Sequence, residues 1–341
     1  MYRIAVAGCG VMSNAWIKAA SQRDDCLIAA LVDINIDSAK ERNELNKLGA
    51  KVYTNLQEAV EKENIDLVFD ITPPEHHFST VTTALKAGCN VFGEKPMSDS
   101  LECAYKMIEC SDEMGKEYFV MQNRRYIPHI CGFHDFLVSN KLGKPGQLSA
   151  NFQLNPHFGG FREEMESPLL ADMAIHTFDA ARFILGKNPV SVYCHEFNPS
   201  WSWYDGCANA VCIFEMDDGT IFDYRGSWCA NGLNTSWESE WRATCADGSV
   251  FWDGFDKLYY NVPDLNIKKF GIDDDEITEP LSGILPVNME KIGHEACITE
   301  MFDSLNNNKR PQTDCRDNIK SIEMVFKAIE SAKNQKKIYF K

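Results

Sequence analysis

The 341-residue sequence predicts an α/β domain built on a doubly wound parallel sheet, followed by an α+β domain. Three observations carry this expectation. Short apolar runs alternate with helical patterns up to about residue 122, a glycine-rich turn follows the first run, and strand-like runs then succeed one another without alternation.

The alternating runs are "RIAVAG", "LIAALVD", "KVY", "IDLVFDI", "CNVFG" and "EYFVMQ". Strands separated by helices imply right-handed crossovers and a parallel sheet covered on both faces. Ligands of such sheets gather at the carboxyl ends of the strands, which here carry Gly8, Asp33, Thr72, Glu94 and Asn123. The first domain is expected over residues 1–123 and the second over 124–341. Within the second, the pattern predicts a helix over 129–139 and a strand near 147–154. In "NAVCIFEMDDGTIFDYRGSW" it predicts a hairpin, with Asp218 and Gly219 supplying the positive φ of a tight turn. "WESEWRATC" and "SVFWD" read as further strands, and amphipathic helices follow near 288–306 and 315–334.

Composition narrows the function. Hydrophobic residues make up 44% and charged residues 25%, which is ordinary for a folded globular chain. No apolar run approaches the ~18 residues of a membrane span. "MYRIAVAGCG" reads as a first strand rather than a signal peptide, so a cytoplasmic protein is expected. A net charge of −16 disfavours nucleic acid and anionic membranes, both polyanions, and favours a small molecule as partner. The thirteen cysteines are odd in number and lack a C-x-x-C pair, so they read as reduced thiols. The eight histidines contain no H-E-x-x-H, and no metal site is expected.

In "VAGCGVMS", Gly8 permits a tight turn after the strand and Gly10 permits close approach of a pyrophosphate. Ser13 is a small residue that lets helix and strand pack closely, and the amides of the helix start, at Val11 and Met12, suit phosphate. Asp33 stands 25 residues after Gly8 at the end of the second strand, where a carboxylate accepts from adenosine ribose and repels a 2′-phosphate. NAD is therefore the expected cofactor, in preference to NADP.

In "LLADMAIHTFD", helical spacing places Asp172, His176 and Asp179 within roughly a 60° arc of one face. Ser167 suits the N-cap of this helix and Pro168 its first position. Such a trio is either an acid/base site or a buried histidine satisfied by two acids.

The glycine loop, "TPPEHH", "EKP", "NRRY" and "DMAIHTFD" occur in this order through nearly the whole chain. In them the sequence resembles the glucose-fructose oxidoreductase, inositol dehydrogenase and MocA family. The resemblance implies a Rossmann domain followed by an α+β domain with a large, mostly antiparallel open sheet, and NAD-dependent oxidation of a secondary hydroxyl of a sugar, glycoside or cyclitol. It places the family's lysine on Lys95, its acid on Asp172 and its histidine on His176, with Asp179 in a structural role. Thr72, Pro73, His77, Glu94 and Asn123 complete the expected cofactor contacts. Ala174 departs from the glycine frequent in the family.

His176 is the first choice for general base, because its reference pKa of about 6.5 lies near working pH. Lys95 would donate to the substrate oxygen and Asp172 would orient substrate or imidazole; lysine as base is the competing assignment. His157 and Arg162, in "NPHFGGFREEM", and Arg124 and Tyr126, after the sixth strand, are candidate substrate contacts. The arginines equally suit internal pairing with the chain's excess acids. Two alternative functions share the fold: glycoside cleavage through transient oxidation by NAD, and a non-catalytic NAD-binding sugar sensor. Six of the seven tryptophans lie between residues 201 and 252, as an interface or as core. With the resemblance, they point to a homodimer or homotetramer.

Overall fold

A computed structural model describes residues 1–262, 282–284 and 286–340, which fall into two compact units. The first comprises residues 1–126 and 290–322, and the second residues 127–289 and 323–341.

The first unit holds β1 (Tyr2–Ala7), α1 (Ser13–Ser21), β2 (Cys26–Val32), α2 (Ile36–Leu45), β3 (Lys51–Tyr53), α3 (Leu56–Glu63), β4 (Leu67–Asp70), α4 (Pro74–Lys86), β5 (Asn90–Gly93), α5 (Leu101–Met114) and β6 (Tyr118–Val120). All six strands pair in parallel in the order β3-β2-β1-β4-β5-β6. The order reverses between β1 and β4, which opens a crevice beyond their carboxyl ends.

The contacts differ from the expected division after residue 123, because residues 290–322 pack with the first unit. The cause is α9 (Gly293–Asn306), whose Phe302 turns its edge onto Phe92, with centroids 5.2 Å apart, and onto Phe69, 6.2 Å away. Phe69, Phe92 and Phe119 form a stacked row across three strands. Burying an aromatic ring of this kind contributes about 1.5–3 kcal/mol. Arg23, over the Phe302 ring at 4.4 Å, and Asn306, donating to Asp25 at 2.9 Å, close the contact.

The second unit contains α6 (Pro128–Val138), β7 (Pro145–Gln153), the short α7 (Phe161–Glu164), a π-helical turn over Leu169–Ala174, and α8 (Ile175–Leu185). Then come β8 (Pro189–Phe197), β9 (Asn209–Met216), β10 (Ile221–Ser227), β11 (Glu240–Cys245), β12 (Gly248–Trp252), β13 (Leu258–Asn261) and β14 (Ser282–Gly283). The division between units falls within α10 (Cys315–Asn334), and β15 (Ile338–Tyr339) ends the sheet. Its order is β14-β13-β12-β11-β7-β10-β9-β8-β15, antiparallel throughout except that β7 runs parallel to β10.

Helix α8 is fixed to this sheet by Phe178, which meets Phe214 at 4.9 Å and Tyr224 at 5.2 Å, both edge-on. Trp228, Trp241 and Trp252 are fully buried, so these three tryptophans are core, while Trp201 and Trp237 are exposed. The expected two-residue hairpin turn is a three-residue loop, Asp217 to Gly219. Met216 and Thr220 pair across it, and only Gly219, at φ +87°, takes positive φ. Such a loop matches strand twist with a single glycine.

Candidate active site

On the first unit, the glycine loop between β1 and α1 has the shape its residues require. Gly8 sits at φ +90°, and a Cβ there would lie 2.4 Å from the carbonyl oxygen of Ile71, so only glycine lets β1 and the end of β4 approach this closely. A Cβ on Gly10 would meet nothing within 4 Å, so the loop leaves space beside it. Val11 and Met12 are exposed at the helix start, and the buried Ser13 donates its hydroxyl to the carbonyl of Gly10 at 2.6 Å.

Asp33 does more than stand at a strand end. Its Oδ2 accepts from the amide of Cys9 and its Oδ1 from that of Asn35, each at 2.8 Å, which ties the glycine loop to the end of β2. Arg42, from α2, braces the same loop by donating to the carbonyl of Cys9 from Nε and Nη2, both at 3.3 Å. No residue pattern marked Arg42, because α2 looks like any solvated amphipathic helix. A carboxylate has about four lone-pair sites, so Asp33 keeps acceptors for a ribose. These residues fit a dinucleotide.

At the end of β4, the buried Asp70 accepts from the Thr72 hydroxyl at 2.6 Å and the Thr72 amide at 3.1 Å. His77, fully buried, faces it with Nδ1 3.3 Å from Oδ2. Burial pushes the Asp70 carboxyl above the usual carboxylate range, opposed by the imidazole and by the Thr72 bonds. His77, expected among the cofactor contacts, is thus buried against Asp70, behind Thr72 in the chain. "VFDITPP" held a signal for Asp70, a carboxylate closing an apolar strand.

Glu94 is likewise engaged, accepting from the Trp16 indole at 2.8 Å and from the Lys95 amide at 3.1 Å. Lys95 follows, partly exposed, and precedes a cis peptide to Pro96. Asn123 lies 3.5 Å from the His294 ring. Tyr126 is 5% exposed and donates to Glu300, and burial raises its hydroxyl well above the ordinary tyrosine value. That buried, occupied hydroxyl leaves the expected substrate contact without support. Arg124 is buried as well, and its neighbour Arg125 pairs with Asp317 at 2.9 Å.

On the second unit, the trio does not lie on one α-helix. Asp172 sits in the π-helical turn and His176 in the first turn of α8, both partly exposed. The wider turn changes the angular step that the 3.6-residue period assumes. Ser167 does not cap with its side chain. Its carbonyl accepts from Ala171 at 2.9 Å, while its hydroxyl bonds Glu196 at 3.1 Å. Asp179 is buried at 1% exposure, 3.9 Å from Arg182. Arg162 donates from Nε to Asp172 Oδ2 at 2.7 Å, and His157 stacks on Trp203 with centroids 3.7 Å apart.

A glycine loop with an acid-bridged second strand, on a parallel sheet of this order, defines a dinucleotide-binding domain. The comparisons with known proteins agree. Residues 2–122 match the oxidoreductase family with NAD-binding Rossmann fold, and residues 133–251 match the GFO/IDH/MocA C-terminal domain. The protein belongs to the Gfo/Idh/MocA oxidoreductase family, and its cofactor is NAD. It is 29% identical over 194 residues to a myo-inositol 2-dehydrogenase of Thermotoga maritima, a match spanning 56% of this chain and 57% of that protein. The crystal structure of an oxidoreductase from Agrobacterium radiobacter, in complex with NAD+, L-tartaric acid and magnesium, has a TM-score of 0.86 at 19% identity. It covers 99% of this chain and 98% of its own. The WlbA dehydrogenase from Bordetella pertussis, solved with NADH and UDP-GlcNAcA, has a TM-score of 0.81 at 18% identity and covers 100% of this chain and 99% of its own.

Asp33 supplies a direct test of cofactor choice. Asp33→Ala removes a charge-assisted acceptor and should weaken NAD by about 1.5–3 kcal/mol, narrowing the preference over NADP. Calorimetric titration with both cofactors measures this, and equal affinity of the unmodified protein for the two would refute the assignment.

Proposed function

We propose that the protein transfers hydride between a secondary hydroxyl of a sugar, glycoside or cyclitol and the nicotinamide of NAD. The observation that carries this reading is the selective exposure along α8 and its preceding turn: Asp172 and His176 reach the surface of the second unit, while Asp179 is turned inward against Arg182. Their partial exposure supports a reading in which a substrate reaches them, whereas Asp179 is closed off.

Bound NAD supplies the hydride acceptor. The chain's own groups handle the proton and the charge. His176 takes the hydroxyl proton on an imidazole nitrogen. Lys95 donates a hydrogen bond to the substrate oxygen as negative charge grows on it. Asp172, already a hydrogen-bond acceptor for Arg162, orients the substrate hydroxyls or the imidazole. Absorbance at the NADH band, followed against a panel of sugars, glycosides and inositols, tests the reading. Tight NAD binding with no reduction by any of them would favour a sensor.

We also propose a homo-oligomer assembled through the open face of the large sheet. Tyr193, Phe197, Val211 and Ile213 on β8 and β9 are exposed apolar residues on that face, and they replace the buried tryptophans as its support. Closed symmetry makes a dimer or tetramer the expected product. Light scattering should return a multiple of 38.6 kDa, and the monomer mass at micromolar concentration would remove the idea.

A further inference from the structure

Beside Asp172, the second unit exposes more aromatic surface than a folded chain leaves without use. Phe158, Phe161 and Trp237 are 44%, 61% and 47% exposed. They form one surface: the Phe158 and Trp237 rings have centroids 6.3 Å apart, and the Arg162 guanidinium lies 5.3 Å from the Phe158 centroid and 4.7 Å from that of Phe161. The supporting loops are tied together. The Tyr204 hydroxyl donates to Pro156 at 2.7 Å, the Thr235 amide to Gln153 at 2.9 Å, and the Asp205 amide to Glu163 at 2.8 Å. Exposed aromatic patches on fixed loops mark binding sites rather than core.

Two features choose the occupant. Arg162 bridges the platform to the candidate site, since its Nε is 2.7 Å from Asp172 Oδ2. A ring lying on the platform is therefore one sugar unit from the acid. Charge supplies the second. The segments 155–166, 199–207 and 229–239 hold five carboxylates against one arginine and no lysine, and that arginine already pairs with Asp172. Such a surface repels a diphosphate and accepts a neutral ring with an apolar face.

We propose that Phe158, Phe161 and Trp237 form a subsite for the second ring of a neutral glycoside, a sugar or a flat aglycone, so that the substrate is a glycoside rather than a free or nucleotide-linked sugar. This rests on the reaction proposed above. Aromatic faces hold pyranose and planar rings through dispersion and burial of C–H surface, which favours ligands that reach the platform.

The test compares NAD reduction by glucose, cellobiose, phenyl β-glucoside and UDP-glucose, and repeats the comparison for any other sugar that reacts. The kcat/KM of the glycosides should exceed that of the free sugar by about tenfold or more, mainly through KM, with no advantage for UDP-glucose. Trp237→Ala should bring the ratio toward one, and Trp237→Phe should retain it. If Trp237→Ala fails to melt cooperatively, Phe161→Ala takes its place. A ratio near one in the unmodified protein, or a preference for UDP-glucose, overturns the proposal. So does a ratio unchanged by Trp237→Ala, with or without a drop in oligomer mass, since a mass change alone makes the platform a contact between copies. If none of these compounds reduces NAD, the reaction fails rather than the subsite. Calorimetry with phenyl β-glucoside then decides the subsite, with binding that Trp237→Ala abolishes as the supporting result and no binding as the overturning one.

Discussion

Lys95→Met is expected to lower turnover by on the order of 10²- to 10³-fold while NAD affinity stays within a few-fold. Methionine keeps much of the apolar stem and removes the donor. The neighbouring contacts that order this turn, Glu94 with the Trp16 indole and with the Lys95 amide, use atoms the substitution leaves in place. A group that acts on charge developing in the transition state is felt in kcat, whereas a group that only shapes the turn is felt in cofactor affinity. Turnover on a substrate from the sugar panel, beside calorimetric NAD binding, separates the two. Near-normal turnover would sink the mechanism and leave the fold assignment untouched.

His176→Ala should lower turnover by roughly 10²- to 10⁴-fold if the imidazole is the general base. A general base acts only in its unprotonated form, so the loss should be greatest at the pH where the unmodified protein is most active and smaller on the acid side. A pH profile of kcat/KM for both proteins shows this as the disappearance of the acid limb. Should this variant turn over normally while the Lys95 variant is dead, the base is Lys95. The helix itself should survive the change, because Phe178 packs α8 against Phe214 and Tyr224 of its sheet without help from His176.

Much of this architecture was legible in the residues, for reasons that can be named. Each strand of the parallel sheet is a short apolar run bounded by turn residues, and the runs ending at Gly8 and Asp33 carry their chemistry at fixed places relative to a strand end. What escaped was whatever depends on partners distant in sequence. The amphipathic pattern of α9 predicts a helix, but nothing in it says that Phe302 will cover Phe69 and Phe92 rather than the second sheet. An arginine or tyrosine after a strand looks the same whether it reaches for substrate or, as Arg125 and Tyr126 do, for Asp317 and Glu300. The π-helical turn beneath Asp172 was hidden because residue spacing is read against an assumed period, and the turn changes the period itself.

The return of residues 290–322 to the first unit also dictates an order of events during synthesis. A ribosome adds about 5–20 residues per second, and domains tend to fold as they emerge. When Tyr126 leaves the exit tunnel, every strand of the parallel sheet exists, yet the Phe69 and Phe92 rings lack the helix that covers them. The whole stretch from Ile127 to Met289 must be made first, a delay on the order of ten seconds or more at that speed. During that interval the nascent sheet shows water a row of phenylalanines, the kind of surface that chaperones bind. A fragment ended at Tyr126 would keep that surface for good and should aggregate, so the smallest piece able to hold cofactor stably includes α9, which begins at Gly293, about half the chain's length beyond Tyr126.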